Sequence, residues 1–452
     1  MFKPPKDKEI LFSDSKQIRK KFIIKRNQIL FFASLTYILY YFTRKSFDLS
    51  GNKLMQENLM LKEHFALIGM FFAIIYGCSK FIIGNFADRS SSRVVVCFGL
   101  IISVIINLAL GGVIQIWSGK ISIAPLVLMI FLMSLLGLSQ GMGWPGTARM
   151  FSHWFDDKER TVKIGIWNIG HGLGGSLLPL IIIPLIEILD PESKIFGLYY
   201  WIPSCIALLF IPIIIWGLRD RPTSEGLPTI EKWKGIPENI KEKNEINWKE
   251  IFTKYVLKNK FIWILACTNI WVYVLRQGIS SWSLQIVYDI HDIRLKNSKI
   301  LWSVFEWSGM IGAILSAYVS RWFFKNCKAP VMIIGLIFTL IGLIMFQLAP
   351  LKSMLTLYFS LIISGFGIYI PQSLIGATAI ELTNKKAAAT AAGFTGLAGY
   401  FGDAVMSKIL IPQIYNYNNN WTYVFYYFYI CILLSIICLV FLLGKNENNK
   451  LI

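Results

Sequence analysis

Apolar runs long enough to cross a lipid bilayer recur twelve times along the 452-residue chain, and no other feature limits its fold so severely. A membrane-crossing helix needs ~20 mostly apolar residues. The runs fall roughly at 28–47, 65–86, 94–116, 122–145, 163–187 and 197–217. After a polar stretch they resume near 261–288, 299–323, 329–349, 353–376, 387–413 and 421–443. Hydrocarbon offers backbone groups no hydrogen-bonding partner, so segments of this kind cross as helices. The pattern predicts an all-α, polytopic membrane protein of two six-helix bundles. Its expected parts are a basic tail at 1–27, a first bundle at 28–217, a linker at 218–259, a second bundle at 260–444 and a tail at 445–452.

The net charge of +19 would suggest a nucleic-acid partner if it were spread over a soluble surface. It is not: the charges gather in the tail, in the linker and in alternate loops, with Arg89/Arg93, Lys158/Arg160/Lys163, Arg321/Lys325/Lys328 and Lys385/Lys386. Lys and Arg accumulate in cytoplasmic loops. Both termini and the linker are therefore expected in the cytoplasm, the partner surface is lipid, and no nucleic acid is expected. The seven cysteines are scattered, with no CxxC or Cys/His cluster to suggest a disulfide framework or a metal. The N-terminus shows no short apolar core with a cleavage site, so no removable signal peptide is expected.

Two charged residues interrupt this logic. Arg44, in Tyr41-Phe-Thr-Arg44-Lys45-Ser-Phe, lies 18 residues past Arg26. At 1.5 Å per residue that is ~27 Å along a helix. Arg276, in Tyr273-Val-Leu-Arg276, lies 16 residues past Lys260 in the second half. A charge at such depth costs at least ~2.5 kcal/mol unless something answers it. Alone, Arg44 could be a snorkelling arginine at a helix end. Its counterpart in the other half points instead to a central transporter site, where repeats contribute matching features. Tyr41 and Tyr273 each precede their arginine by three residues, which places them on its face. Two planar guanidinium forks suit a doubly charged, oxygen-rich anion such as phosphate.

Further motifs carry a resemblance. The turn Gly84-Asn-Phe-Ala-Asp88-Arg89, the two halves and the loop charges resemble the major facilitator superfamily. Asp88 there is either a latch to a neighbouring helix end or a solvated turn. The segments Tyr-Tyr-Phe-Thr-Arg44-Lys-Ser-Phe, Tyr76-Gly-Cys-Ser-Lys80-Phe, Trp167-Asn-Ile-Gly-His171-Gly-Leu-Gly-Gly175 and Lys385-Lys-Ala-Ala-Ala-Thr-Ala-Ala-Gly-Phe-Thr-Gly396 narrow it. Together with Arg219-Asp-Arg-Pro in the linker they resemble the organophosphate:phosphate antiporters, a family that includes hexose-phosphate and glycerol-3-phosphate transporters and a hexose-phosphate sensor. The resemblance runs from about residue 1 to 440. It implies a membrane transporter, not an enzyme, that exchanges an organophosphate for inorganic phosphate, with no cofactor and as a monomer.

The same resemblance implies roles for individual residues. Arg44 and Arg276 would be the paired phosphate ligands. Lys80 would add attraction near the cavity, or else snorkels to one end of its helix. His171, flanked by glycines, would donate to phosphate and gain a proton on binding, or else is a hydrogen-bonded packing group. Glu306 would hold the arginines when no ligand does, or else is a helix-end carboxylate. Asp403 and Lys408 are five apart, a poor spacing for an intrahelical pair, so each seeks a partner elsewhere. An aspartate after Gly402 resembles the hexose-phosphate branch. Tyr76, Trp144, Trp167 and Tyr369 are candidate cavity-wall aromatics. Ser280-Ser281 stands where the family carries an acidic or amide residue, which argues against charge pairing at that point and against a simple carry-over of substrate preference. A phosphate-cradling GxxxxGK[ST] loop is absent from the sequence, which argues against ATP drive. A sensor that keeps the phosphate site without flux stays open as a second class. A proton-coupled carrier would need a carboxylate-led site, which two arginines argue against.

Overall fold

A computed structural model describes residues 5–9, 15–88, 90–116, 122–192, 194–235, 253, 256–325, 327–383 and 388–443. The first half contains α1 (Ser15–Gln56), α2 (Lys62–Asp88), α3 (Ser92–Ile116), α4 (Ile123–Gln140), α5 (Gly143–Trp154), α6 (Asp157–Leu189) and α7 (Leu198–Gly217). A short α8 (Ile230–Lys234) follows. The second half contains α9 (Lys260–His291), α10 (Leu295–Phe323), α11 (Lys328–Gln347), α12 (Met354–Glu381), α13 (Ala388–Phe401), a π turn at Gly402–Ser407, α14 (Leu410–Asn418) and α15 (Trp421–Val440). Among the described residues nine continuous stretches are long and apolar enough to span a membrane, α4 and α5 counting as one. Adding α1, α2 and the rod formed by α13, the π turn and α14 brings the number of membrane-length rods to twelve. Many outward side chains are apolar, such as Leu209 (74% exposed) on α7 and Leu355 (68%) on α12. Such a surface is stable only where lipid is the solvent.

Three elements depart from the apolar runs. α1 is 42 residues long and extends past both ends of the run at 28–47. Its polar first turns are held by packing: Phe22 stacks on Trp233 with ring centroids 4.4 Å apart and meets Trp154 edge-on at 5.6 Å. The fourth rod breaks at Gly141-Met142 because Pro145 has no N–H to offer the carbonyl four residues back. The eleventh rod contains the π turn, closed by a Lys408 N–H donating to the Asp403 carbonyl at 3.0 Å. Single π turns of this kind recur at functional sites.

The linker departs from a purely solvated connector over its first part. Lys234 Nζ reaches Asp156 at 2.6 Å and Glu159 at 2.7 Å, and Arg26 also pairs with Glu159. Asp220 accepts from Ser91 Oγ at 2.8 Å and from the Arg93 N–H at 2.9 Å. Residues 219–235 are thus docked on the first bundle. Residues 236–252, Lys385, Lys386, Arg89 and the tail beyond 443 lie outside the described residues, as do the side chains of Lys80 and Asp88.

Within the first half α1 packs on α6 and α7, α2 on α4, and α3 on α4, α5 and α7. Within the second, α12 packs on α10 and α11, α9 on α13 and α15, and α11 on α15. The halves meet where α6 crosses α10, α2 meets α13 and the π turn, and α1 meets α9. The α1–α6 crossing is close because Gly174 has no side chain. A Cβ there would lie 2.6 Å from Tyr41 Cβ and 2.8 Å from the Ile38 carbonyl. Backbone cannot rotate away as a side-chain tip can. Gly174→Val should therefore cost ~1–3 kcal/mol of packing strain and displace Tyr41. A lowered thermal midpoint in detergent checks this, and an unchanged one would mean the helices part freely.

Candidate functional site

α1 and α9 carry their arginines to the interface between the halves. Arg44 donates from Nε (3.2 Å) and Nη2 (3.1 Å) to Gln140 Oε1 at the end of α4. Its guanidinium lies over two aromatic faces, Tyr41 at 4.6 Å and Tyr76 at 4.3 Å. Tyr41 therefore lies beside Arg44, as the three-residue spacing requires. Arg276 is 4% exposed and donates from Nη2 to the Tyr369 hydroxyl at 2.7 Å. It sits 3.7 Å from the Glu306 carboxylate, which also accepts a hydrogen bond from Tyr369. The ring under Arg276 is that of Tyr369, on α12, at 4.9 Å. Tyr273 turns to Tyr400 instead, edge-on at 5.2 Å. The helical spacing gave the right face but not the rotamer, because Tyr369 reaches in from another helix.

His171 on α6 lies between the two arginine clusters. Its ring is 5.6 Å from Tyr41 and stacks parallel on Tyr369 at 6.0 Å. A row of rings, Tyr41, His171 and Tyr369, thus joins the site of Arg44 to the site of Arg276. Nδ1 bonds the Asn168 carbonyl. A carbonyl only accepts, so the proton belongs on Nδ1 and Nε2 presents a lone pair. Nε2 of His171, Nε of Arg276 and Oδ1 of Asp403 are buried without a hydrogen-bond partner among the described residues. These three atoms keep hydrogen-bonding capacity to offer at the interface between the halves.

Asp403 and Lys408 do find partners on other helices. Gln277 donates to Asp403 at 3.4 Å, and Lys408 donates to Ser281 Oγ at 2.8 Å. Lys45 Nζ lies 2.7 Å from Asp48 and donates to Ser280 Oγ at 3.2 Å; Ser281 reaches Asp48 and Ser280 reaches Glu306, both at 3.5 Å. The two serines thus relay between charges carried by other helices. Asn52 donates to the Ser281 carbonyl at 3.2 Å, Tyr288 to the Gln56 carbonyl at 3.2 Å, and Lys62 pairs with Asp289 at 2.8 Å. These bonds tie the halves together from the arginine level to the end of the molecule far from its termini.

Gln140, Gln277 and Asp48 are site residues that the sequence did not single out. Gln140 is a polar side chain deep in an apolar run, a signal of the same kind as Arg44. Asp48 falls one residue past the run at 28–47, but lies three residues after Lys45 on the same helix. Trp167 is a packing residue: it donates to the Ala33 carbonyl at 3.1 Å and stacks on Tyr37.

Comparison with known proteins agrees with this architecture. The sequence profile of the Major Facilitator Superfamily matches residues 33–407. The glycerol-3-phosphate transporter of Haemophilus influenzae is 34% identical over 401 residues, 83% of this chain and 82% of the relative. A probable hexose phosphate transport protein of Chlamydia trachomatis is 33% identical over 430 residues, 89% of this chain and 88% of the relative. The membrane sensor protein UhpC of Escherichia coli is 31% identical over 416 residues, 88% of this chain and 89% of the relative. A two-bundle helical fold, a matching profile and relatives aligned over most of their length leave one assignment: the chain is a multi-pass membrane protein that belongs to the Major Facilitator Superfamily.

Proposed function

We propose that this chain is a transporter of phosphorylated organic molecules, with hexose 6-phosphate the best-fitting cargo, and that it exchanges them for inorganic phosphate by alternating access. The observation that carries this is the placement of Arg44 and Arg276, one from each half, at the two ends of a single row of rings. A phosphate group held by both guanidinium forks bridges the halves. It draws Arg276 from Glu306 and lowers the barrier to rocking, to the extent that it binds the bridged state more tightly than the open ones. His171 supplies a ring nitrogen on the same line. Asp403 and Gln277 supply acceptor and amide groups for the hydroxyls of the organic part. Lys80, on α2, belongs to the proposal through its motif. The names of the relatives support the substrate class, glycerol 3-phosphate being the alternative cargo.

The protein would act as a monomer in the cell inner membrane, with termini and linker in the cytoplasm. In that orientation the bonds from Lys45 to Gln56 close the side facing out. Reporter fusions at Lys232 and at the C-terminus should both report the cytoplasm, and an outside signal at either would overturn the orientation. Binding of radiolabelled phosphate to detergent-purified protein tests the substrate class. Glucose 6-phosphate and glycerol 3-phosphate should compete and glucose should not. Equal competition by glucose would move recognition from the phosphate to the sugar. The 31% identity to a sensor supports a second role for the same site, in which binding is reported rather than followed by flux. Phosphate binding without exchange would select it.

A further inference from the structure

The two arginines are held by chemically different partners. Arg276 has a carboxylate 3.7 Å away and a tyrosine hydroxyl that bridges them. Arg44 has an amide. Gln140 is 2% exposed, and its Oε1 takes both the Nε and Nη2 protons of Arg44. Its amide nitrogen faces the Tyr40 carbonyl at 3.2 Å, Thr43 Oγ1 at 3.0 Å and Ser103 Oγ at 3.3 Å. A carbonyl can only accept and a guanidinium can only donate, so the amide has one permitted orientation, oxygen towards Arg44. Among the described residues, the other close neighbours of the guanidinium are the faces of Tyr41, Tyr76 and Phe72, which carry no net charge.

We infer that Gln140 is a positioning residue that orients Arg44 without neutralising it, so that the two arginines are unequal: Arg44 is the standing attractor for the phosphate group, and Arg276 joins once the ligand displaces it from Glu306. The geometry supports the division of labour. Gln140 occupies the Nε–Nη2 edge of the guanidinium and leaves the Nη1–Nη2 edge for two phosphate oxygens. A carboxylate in the same place would orient Arg44 equally well but cancel its charge. On the other side, the Arg276–Glu306 contact is a charge pair that any anion must compete with. Net attraction then enters from the first half, and the second half responds. This rests on the phosphate-site proposal above.

The test is equilibrium binding of radiolabelled inorganic phosphate to the full-length protein in detergent, at fixed pH and salt. It compares wild type, Arg44→Lys, Gln140→Leu, Gln140→Glu and Glu306→Gln. Gln140→Leu removes orientation alone and should weaken binding by about tenfold or less. Gln140→Glu should weaken it by at least ~30-fold, because the internal carboxylate takes the place of the ligand's charge. Glu306→Gln should bind phosphate more tightly than wild type, by roughly threefold or more, because the ligand no longer competes with a carboxylate for Arg276. A structural role for Gln140 predicts no difference between Leu and Glu, and that outcome would overturn the inference. So would a Glu306→Gln protein that binds phosphate no more tightly than wild type. If Gln140→Glu does not yield folded protein, the Glu306→Gln arm decides. Wild type that binds no phosphate, or Arg44→Lys that binds as wild type does, would instead remove the phosphate site itself, and this inference with it.

Discussion

Replacing either Arg44 or Arg276 by lysine is expected to cost phosphate affinity by a factor of ~30 to several thousand. The estimate follows from the ~2–5 kcal/mol lost when one partner of a buried, hydrogen-bonded charge pair is truncated, at ~1.4 kcal/mol per decade. Lysine keeps the charge but not the fork. At position 44 it also cannot satisfy Gln140 through two donors while facing a ligand with two more. At position 276 it cannot reach the Tyr369 hydroxyl, the Glu306 carboxylate and a ligand from one nitrogen with the same geometry. Both single variants should lose inorganic phosphate and sugar phosphate together, since the phosphate group is what the two ligands share. Near-wild-type phosphate affinity in either variant would make that arginine structural. Loss of phosphate with sugar-phosphate binding intact would place recognition in the sugar.

Asp48→Asn carries the second large effect, on stability. Lys45 and Asp48 are 6% and 13% exposed by side chain and 2.7 Å apart. Removing the carboxylate leaves Lys45 with Ser280, and leaves Lys408 without the anion it meets through Ser281. Breaking a buried ion pair on one side typically costs ~3–5 kcal/mol, whereas removing both charges is often close to neutral. The thermal midpoint in detergent should fall for Asp48→Asn and recover largely in the double variant Lys45→Met/Asp48→Leu. A double variant as unstable as the single would mean that packing, not charge, holds this position.

The fold was readable because lipid leaves helices as nearly the sole solution for long apolar runs, and twelve of them divide evenly around a polar stretch. The places where the runs mislead have local causes. Pro145 breaks the fourth rod inside an unbroken apolar run. The aromatic contacts of Phe22 extend α1 into a tail that hydropathy assigns to water. Trp233 and Lys234 dock a linker whose composition reads as solvated. Of the site, the charged residues were legible since charge inside an apolar run demands a reason. Arg44, Arg276, His171, Glu306 and Asp403 come to the interface between the halves. Partner choice was not legible. Tyr369 rather than Tyr273 lies under Arg276, and Gln140 rather than a carboxylate holds Arg44. Such pairings join helices far apart in sequence, and a single chain read alone carries no record of them. The exception is Asp48, whose partner Lys45 stands three residues away and which a longer first helix would have brought into view.

The cross-half bonds hold the two halves together on one side of the arginines. They run from Lys45 and Ser280 out to Gln56 and Leu295. Their charges sit next to the arginines: Ser280 touches Lys45 on one side and Glu306 on the other. A ligand that draws Arg276 from Glu306 therefore changes the partner of the residue that ties the halves together.

In the proposed mechanism a phosphate group bridging Arg44 and Arg276 allows the halves to rock. Counterflow measures this most directly. Proteoliposomes loaded with unlabelled phosphate should accumulate labelled external phosphate transiently with wild-type protein. External glucose 6-phosphate should suppress that uptake, and Arg44→Lys and Arg276→Lys should abolish it. Labelled phosphate entering at the same rate with or without internal phosphate, or undiminished counterflow in either arginine variant, would rule out a bridging phosphate.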